Sequence, residues 1–135
     1  MNCLVYTKQL KEGYYMDQKE KIIEHYFQLS DIASKNDNAL NQIINLFANN
    51  AIVKGANGII SNNHEAIVKF FKDFFKDNKE LHHICHVFIK DNKYEAEWAV
   101  AGRKMSGKIF ALHGFDIYKF NDQNKITFLQ VKTAK

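Results

Sequence analysis

A change of pattern near residue 78 constrains the fold of this chain more than any other sequence feature. Before it, apolar residues recur at helical spacing; after it come extended segments at roughly 82–90, 94–104, 108–120 and 125–132, separated by polar turns. Helices followed by adjacent strands are typical of an antiparallel sheet with the helices on one face. The sequence therefore predicts an α+β layer arrangement.

Two helices are predicted at the start of this order. Asp17 and Glu20 have the spacing of a capping box, and apolar residues at helical spacing predict an amphipathic helix over residues 18–35. Asp37 or Asn38 can cap a second, shorter helix. Both helices would turn an apolar side toward the sheet.

The second helix is expected to include Phe47 and to end at the asparagine pair 49–50. Residues 51–60 predict two short extended pieces around a glycine-containing turn. Asn62 or Asn63 can cap a third helix, whose phenylalanines supply a broad buried stripe. The sequence thus predicts a short hairpin and a third helix between the first two helices and the long strands.

Length and composition indicate one folded domain. The chain has 135 residues, of which 46% are hydrophobic and 13% aromatic, and we assign 17–135 to a single domain. Residues 1–16 show little periodicity and are expected to form a loose N-terminal arm, or an upstream extension if translation begins at Met16. No loop is long enough to suggest a second core.

Charge and cysteine content narrow the function classes. The formal charge is +4, but the lysines are scattered and form no basic block, so we expect no nucleic-acid partner. No apolar stretch is long enough to span a bilayer, and the N-terminus lacks a secretory signal, so we expect no membrane partner. Two cysteines are too few to indicate a disulfide framework, which favours the reducing cytoplasm.

Asp116 is the first candidate site residue, because it interrupts the most hydrophobic predicted strand. Strand side chains alternate between faces, and a carboxylate on an apolar face is costly unless it is hydrogen-bonded, protonated or directed into a pocket. The ordinary interpretation is an acid satisfied by a hydroxyl or by backbone amides; the functional one is a pocket acid. Its face is shared with apolar and aromatic residues: Phe110, Leu112, Gly114, Tyr118 and Phe120.

His83 is the second candidate. On a strand it points with Cys85 to an apolar face, whereas His82 and His86 share the other face. Imidazole titrates near neutrality and suits general acid or base catalysis, although a buried histidine bonded to backbone is the commoner case. His82 and His86 would be about 13 Å apart at ~3.3 Å per residue, too far to share an ion, so no metal site is predicted.

Aromatic residues on the same strands are candidate ligand contacts. Trp98 shares a predicted strand face with Ala96 and Val100, where it either stacks on a ring-containing ligand or belongs to the core. Tyr118 and Phe120 accompany Asp116 and are assigned to ligand binding for the same reason. Gly55, in the predicted turn of the short hairpin, is assigned to ligand binding as well. No cofactor motif is present, and no cofactor is expected.

Several strings resemble the nuclear-transport-factor-2-like (NTF2-like) superfamily, in particular its branch of ketosteroid isomerases and SnoaL-like polyketide cyclases. Leu46-Phe47-Ala48-Asn49-Asn50-Ala51-Ile52-Val53 resembles the family's Leu-Phe-Ala-Asp-Asp-Ala segment. Glu65-Ala66-Ile67-Val68-Lys69-Phe70-Phe71 and His113-Gly114-Phe115-Asp116-Ile117-Tyr118-Lys119-Phe120 follow in the family's order. The likeness covers most of the chain from Asp17 to Lys132 and is more specific for fold than for reaction.

The resemblance implies a cone-like roll: three N-terminal helices packed on a curved antiparallel sheet of four long strands plus a short hairpin, around an apolar pocket. It implies that Tyr26 donates to a developing oxyanion and that Asp116 is the neighbouring acid kept protonated by its apolar site. The isomerases' general base falls at Gly55 in this chain, and glycine moves no proton. A histidine in the strand of His83 is used by dehydratase-like relatives, which makes His83 the candidate replacement.

Two hypotheses follow for function. The first is an isomerase, cyclase or dehydratase acting on an enolisable carbonyl or polyketide-like compound, with Asp116 and Tyr26 stabilising the enolate and His83 moving the proton. The second is a non-catalytic ligand-binding or protein-association module of the same fold. The predicted strand 108–120 is apolar on both faces, so we also expect its outer face to be covered in a homodimer.

Overall fold

A computed structural model describes residues 17–134. The expectations for the arm 1–16 and for a start at Met16 lie outside the described residues. The elements follow the predicted order of helices, hairpin and long strands. They are α1 (Gln18–Ser30), a 3-10 turn (Ala33–Lys35), α2 (Asp37–Asn45), β1 (Phe47–Lys54), β2 (Ile60–Ser61), α3 (His64–Asp77), β3 (Asn78–Lys90), β4 (Lys93–Lys104), β5 (Ile109–Phe120) and β6 (Ile126–Thr133).

Helix α1 begins with the predicted capping box and ends earlier than predicted. The Asp17 carboxylate accepts from the Glu20 N–H at 2.8 Å, and the Glu20 carboxylate accepts from the Asp17 N–H at 3.2 Å. The predicted helix over 18–35 is wrong in its last turn, because α1 ends at Ser30 and Asp31 is its C-cap. Serine and aspartate side chains compete with helical backbone hydrogen bonds, which favours a helix end at this point.

Helix α2 is shorter than predicted at its C-terminus. The predicted cap at Asp37 or Asn38 is wrong, because the N-cap is Asn36, which accepts from the Ala39 N–H at 3.0 Å and leaves Asp37 as the first helical residue. The helix ends at Asn45 instead of continuing through Phe47 to Asn49–Asn50. Phe47 begins strand β1 and pairs in parallel with Ile126 of β6. Pairing with a strand distant in sequence therefore overrides the local helical pattern.

Helix α3 has the predicted Asn63 cap, which accepts from the Ala66 N–H.

The six strands form one sheet in the order β2-β1-β6-β5-β4-β3. All neighbouring pairs are antiparallel except β1 and β6, which are parallel. A register shift between Asn78 and Glu80 bends the start of β3 beside β4. The predicted α+β architecture is confirmed, with the hairpin strands β1 and β2 joined to the long strands in a single sheet.

The core lies between the helices and the inner face of the sheet. Its largest fully buried side chains include Ile23 and Ile43 from the first two helices, Phe71 from α3, and Leu81 and Tyr118 from the strands. Alternation along the strands places one side chain in two toward this core. The strand ends and the outer sheet face remain more exposed than the core.

Gly114 makes room for the single tryptophan. It is the β5 partner of Trp98, and a Cβ at Gly114 would lie 2.4 Å from a ring carbon of Trp98 and 2.3 Å from the Lys132 carbonyl oxygen. Real Cβ atoms do not approach other atoms so closely. Glycine at this position therefore lets the indole lie flat across β5, toward Asp116.

Within the described range, no helix is long and apolar enough to cross a membrane. Cys85 is disulfide-bonded, which differs from the expectation drawn from the cysteine count. Location in the cytoplasm stays a prediction.

Candidate functional site

A cavity of about 380 Å³ lies between the helices and the inner face of the sheet. Its wall is mostly apolar, with aromatic rings from α3 and β5. Such a cavity suits a small molecule with a flat apolar body. The apolar part of the wall includes Phe70, Phe71, Phe74, Leu81, Phe110 and Leu112.

His83 lies in this wall and is held by Asp31. The His83 Nδ1 is 2.6 Å from the Asp31 Oδ1, and the His83 backbone N–H donates to the same carboxylate at 3.1 and 3.2 Å. The Asp31 side chain is 1% exposed and the His83 side chain 10%. The imidazole therefore has a fixed orientation in a largely dry environment.

The Asp31 contact settles what each ring nitrogen of His83 can do. An ionised carboxylate only accepts, so Nδ1 carries the hydrogen and Nε2 is the nitrogen left to bind or release a proton. No hydrogen bond joins Nε2 to another side chain or backbone group among residues 17–134. Phe27 and Trp98 flank the ring, with centroid distances of 5.3 and 6.5 Å. This arrangement is that of an oriented general acid or base.

Asp31 is the functional residue that sequence reasoning missed. The predicted helix 18–35 includes Asp31 as an internal residue, whereas in the structure Asp31 is the C-cap of α1. A negative charge near the C-terminus of a helix interacts unfavourably with the helix dipole. An acid near the end of the predicted helix was therefore the signal in the sequence that pointed to another role for Asp31. Its contact with His83, 52 positions away, explains why an acid is found there.

Asp116 is buried in the cavity wall and bound by two donors. It is 2% exposed, and it accepts from the Trp98 Nε1–H at 2.8 Å and from the Tyr118 hydroxyl at 2.7 Å. Burial raises the pKa of Asp116 to about 7, against the two hydrogen bonds, which lower it. The carboxyl group is therefore poised between its neutral and charged forms near neutral pH.

Tyr26 lies in the same wall, but its hydroxyl is not the one bound to Asp116. Burial, and then the charge of Asp116, raise the pKa of Tyr26 far above its ordinary value, so the hydroxyl stays protonated. The Tyr26 ring packs edge-on against Tyr118, with a centroid distance of 6.1 Å. Among the described residues, no hydrogen bond engages the Tyr26 hydroxyl. It is an uncommitted donor beside Asp116.

The structure thus brings Asp116, Tyr26 and His83 to one cavity, together with Trp98. Two other predicted ligand contacts, Tyr118 and Phe120, are not among the residues that line the cavity, and Phe120 is half-buried. Tyr118 is fully buried beneath Asp116, and Phe120 stacks on Tyr118 with a centroid distance of 6.5 Å. Tyr118 therefore acts on the cavity through Asp116.

Gly55 lies in the β1–β2 connection, next to the cavity residues Ala56 and Asn57. A Cβ at Gly55 would lie 2.9 Å from a ring carbon of Phe70 and 2.9 Å from the Asn57 side chain. A side chain at this position would require the Phe70 ring to move. Gly55, where the sequence resemblance put the general base of the isomerases, therefore carries no proton donor or acceptor on its side chain.

The other strand histidines lie away from this cavity. His82 bonds to Glu80 at 2.9 Å, and His113 bonds to Glu97 at 2.7 Å. Within residues 17–134, no three His, Cys, Asp or Glu side chains are grouped so that they could hold a metal ion.

Comparison with known proteins places the fold. No protein-family profile and no curated protein matches the sequence. The structure is similar to an NTF2-like protein of unknown function from Exiguobacterium sp. 255-15, with a TM-score of 0.78 and 25% identity, over 84% of this chain and 98% of that one. The fold is that of the NTF2-like proteins, as the sequence resemblance predicted.

Two further similar structures are enzymes by name. One is a candidate polyketide cyclase from Xanthomonas campestris pv. campestris, with a TM-score of 0.68 and 15% identity over 85% of this chain and 90% of that one. The other is SalBIII, an epoxide hydrolase/cyclase-like enzyme of pyran-ring formation in the polyether salinomycin, with a TM-score of 0.69 and 14% identity over 87% and 91%. At these identities both structures show a likeness of fold.

Proposed function

We propose that this NTF2-like protein is a small-molecule enzyme of the isomerase, cyclase or dehydratase kind, acting on an enolisable carbonyl compound in the cavity beneath Trp98. The observation that carries the proposal is the buried Asp31–His83 pair in the wall of an apolar cavity. Asp31 orients the imidazole through Nδ1, and the ring lines the cavity with Nε2 free of any hydrogen bond to the described residues, so Nε2 is available to exchange a proton with a ligand.

His83 is the proton carrier in this mechanism. Nε2 takes a proton from the carbon next to the substrate carbonyl, and the electron pair of that C–H bond moves onto the carbonyl oxygen as an enolate. The imidazolium is stabilised by the Asp31 carboxylate at 2.6 Å. Return of the proton to another carbon gives isomerisation; its delivery to a β-hydroxyl releases water and gives dehydration.

Tyr26 and Asp116 stabilise the enolate oxygen. The Tyr26 hydroxyl stays protonated and is free of a bond to the described residues, so it donates to the oxyanion. Asp116 assists when neutral, since a carboxylic acid can donate where a carboxylate cannot. Its pKa of about 7 leaves a substantial neutral fraction at physiological pH.

Exchange of a carbon-bound proton tests the mechanism without the natural substrate. 1-Tetralone, an aromatic ketone with one enolisable methylene, is incubated with protein in D₂O and deuterium uptake is followed by NMR. We expect the wild-type protein to accelerate exchange and His83→Gln to lose about 100-fold or more of that acceleration. His82→Gln is the matched control, because His82 lies on the other face of β3 and is bound to Glu80. Equal exchange with the wild-type and His83→Gln proteins would rule out this role.

A non-catalytic ligand receptor is the second candidate. Both oxygens of Asp116 are engaged by Trp98 and Tyr118, which favours an acid that shapes the cavity over one that reacts. A receptor would bind ligand equally well as the wild-type and as His83→Gln and would catalyse no exchange.

We also propose that the outer sheet face pairs with a second copy of the chain. Ile84, Phe115 and Ile117 lie half-buried on that face, and Ile109 is 68% exposed. An apolar sheet face is stabilised when it is covered. Light scattering should give a dimer, and a lysine at Ile117 should convert it to a monomer; a wild-type monomer at high concentration would contradict the proposal.

A further inference from the structure

We propose that Lys104 forms an anion subsite at one end of the cavity, and that the ligand is an elongated, mainly apolar molecule carrying a carboxylate or similar anionic group. The inference rests on the proposed small-molecule function and adds the charge and length of the ligand.

Lys104 brings a permanent positive charge to an otherwise apolar wall. It is the one lysine or arginine among the cavity-lining residues of the described chain. Its side chain is 36% exposed, so it lies where the cavity meets solvent. A cation beside an apolar, partly dehydrated cavity attracts an anion more strongly than a cation in bulk water does.

The present contacts of Lys104 hold it at the cavity and leave its charge available. Its Nζ lies 5.0 Å from the centroid of the Phe110 ring, which is itself in the wall. Its acidic partner is Asp77, at 3.2 Å, whose side chain is 67% exposed. An exposed ion pair of this kind is weak and exchanges readily for another anion.

Asn78 supplies a second polar group at the same end. The register shift after it turns Asn78 inward, and it is the β3 partner of Lys104. It is 1% exposed, and its Nδ2 donates to the Phe74 carbonyl at 2.7 Å. Its Oδ1 is buried without a hydrogen-bond donor among the described residues. An unpaired buried acceptor is costly, and a lysine ammonium has three donors to offer.

These two residues explain how the ammonium can serve a ligand. When Lys104 turns inward, one N–H can satisfy the Asn78 Oδ1 while another binds the anion. Asn78 is thus a positioning residue for the Lys104 charge, and a hydrogen bond from the ammonium would relieve the cost of its unpaired oxygen.

Strand register sets the length of the ligand. His83 is paired with Val100, and Asn78 with Lys104, four residues further along β4. At ~3.3 Å per residue the two ends are about 13 Å apart. Because both side chains extend into the cavity from these positions, we expect the reacting carbon and the anion of one ligand to lie at most about that far apart.

A matched pair of fluorescent probes tests the subsite. 8-Anilinonaphthalene-1-sulfonate and N-phenyl-1-naphthylamine share one aromatic framework and differ by the sulfonate. We expect Lys104→Met to weaken binding of the sulfonate probe about tenfold, the order of one partly exposed charged hydrogen bond, and to leave the neutral probe unchanged. Lys108→Met is the charge-matched control, since Lys108 is exposed in the β4–β5 turn and lines no part of the cavity.

Removal of the competing acid gives a test of opposite sign. Asp77→Asn should strengthen binding of the sulfonate probe a few-fold, whereas Asp73→Asn, which removes the partner of Lys69 on the exposed side of α3, should not.

Equal effects of Lys104→Met on both probes, or no effect on either, overturn the subsite while the cavity and the His83 chemistry stand. Failure of both probes to bind the wild-type protein overturns the subsite and the small-molecule cavity together. If the wild-type protein does not accelerate proton exchange but Lys104→Met still weakens binding of the sulfonate probe alone, the proposed enzyme function is rejected and the subsite stands.

Discussion

Gly114 and Trp98 face each other across β4 and β5 so closely that the glycine hydrogen is the only substituent that fits. The indole that occupies this space donates its Nε1–H to Asp116 at 2.8 Å. The placement of the buried acid therefore depends on a glycine on the same strand.

Gly114→Ala should destabilise the protein. A Cβ would lie 2.3 Å from the Lys132 carbonyl oxygen, which belongs to the backbone of β6 and cannot move without disturbing the pairing. Overpacking of this kind costs about 1–3 kcal/mol of the free energy of unfolding. Urea denaturation measures the loss, and Ser106→Ala, in the exposed β4–β5 turn, is the control. Unchanged stability of Gly114→Ala would show that the strands part easily.

Asp116 should make stability fall as pH rises. Its pKa is about 7 in the folded protein and roughly 3.9 in an unfolded chain, so between these values the folded state holds the proton more tightly. Its contribution to stability is complete below about pH 4 and is lost as pH rises through 7. Urea denaturation at several pH values should show this slope in the wild-type protein and a flatter one in Asp116→Asn. Identical slopes would mean that Asp116 is ionised throughout.

Trp98 should report the ionisation of Asp116 by fluorescence. It is the only tryptophan of the chain, and its indole N–H binds the Asp116 carboxyl group. The emission should change with a midpoint near pH 7, where the pKa of Asp116 lies, and Asp116→Asn should abolish that change. His83→Gln is the control, because the His83 ring is 6.5 Å from the indole and can quench it when charged. A titration that disappears with His83→Gln and persists with Asp116→Asn would contradict the assignment.

Asp31→Asn should change the tautomer of His83. The Asp31 carboxylate accepts from Nδ1–H, whereas an asparagine can also donate, so the preference for the Nδ1–H form weakens. Nitrogen-15 chemical shifts of the imidazole measure the two forms. Loss of a charged acceptor for a largely buried histidine should also lower the free energy of unfolding by about 1–3 kcal/mol. An Nε2–H tautomer in the wild-type protein would contradict the general-base assignment.

Local pattern was sufficient for most elements. Alternation along β5 places Asp116 on the inner face, and the caps at Asp17 and Asn63 come from side-chain spacing that short segments fix by themselves. The last turn predicted for the first helix and the continuation of α2 through Phe47 were wrong. In both places a distant strand supplies the competing contact.

The composition of the cavity was only partly predictable. Strand phase indicated that His83, Trp98 and Asp116 share the inner face, and the structure places all three in the cavity wall. Tyr118 shares that face too, yet it lies beneath Asp116. Strand alternation predicts on which face a side chain lies, but not how deeply it is buried there.

The sequence by itself determined the order of helices and strands, the caps at Asp17 and Asn63 and the inner face of each long strand, because all of these follow from spacings of a few residues. Only the tertiary structure decided that β1 runs parallel to β6, that Asp31 holds His83 from 52 positions away, and that Asn78 is turned inward beside Lys104. The reason is physical: side-chain alternation is fixed within a segment, whereas contacts between distant segments depend on how the whole chain packs.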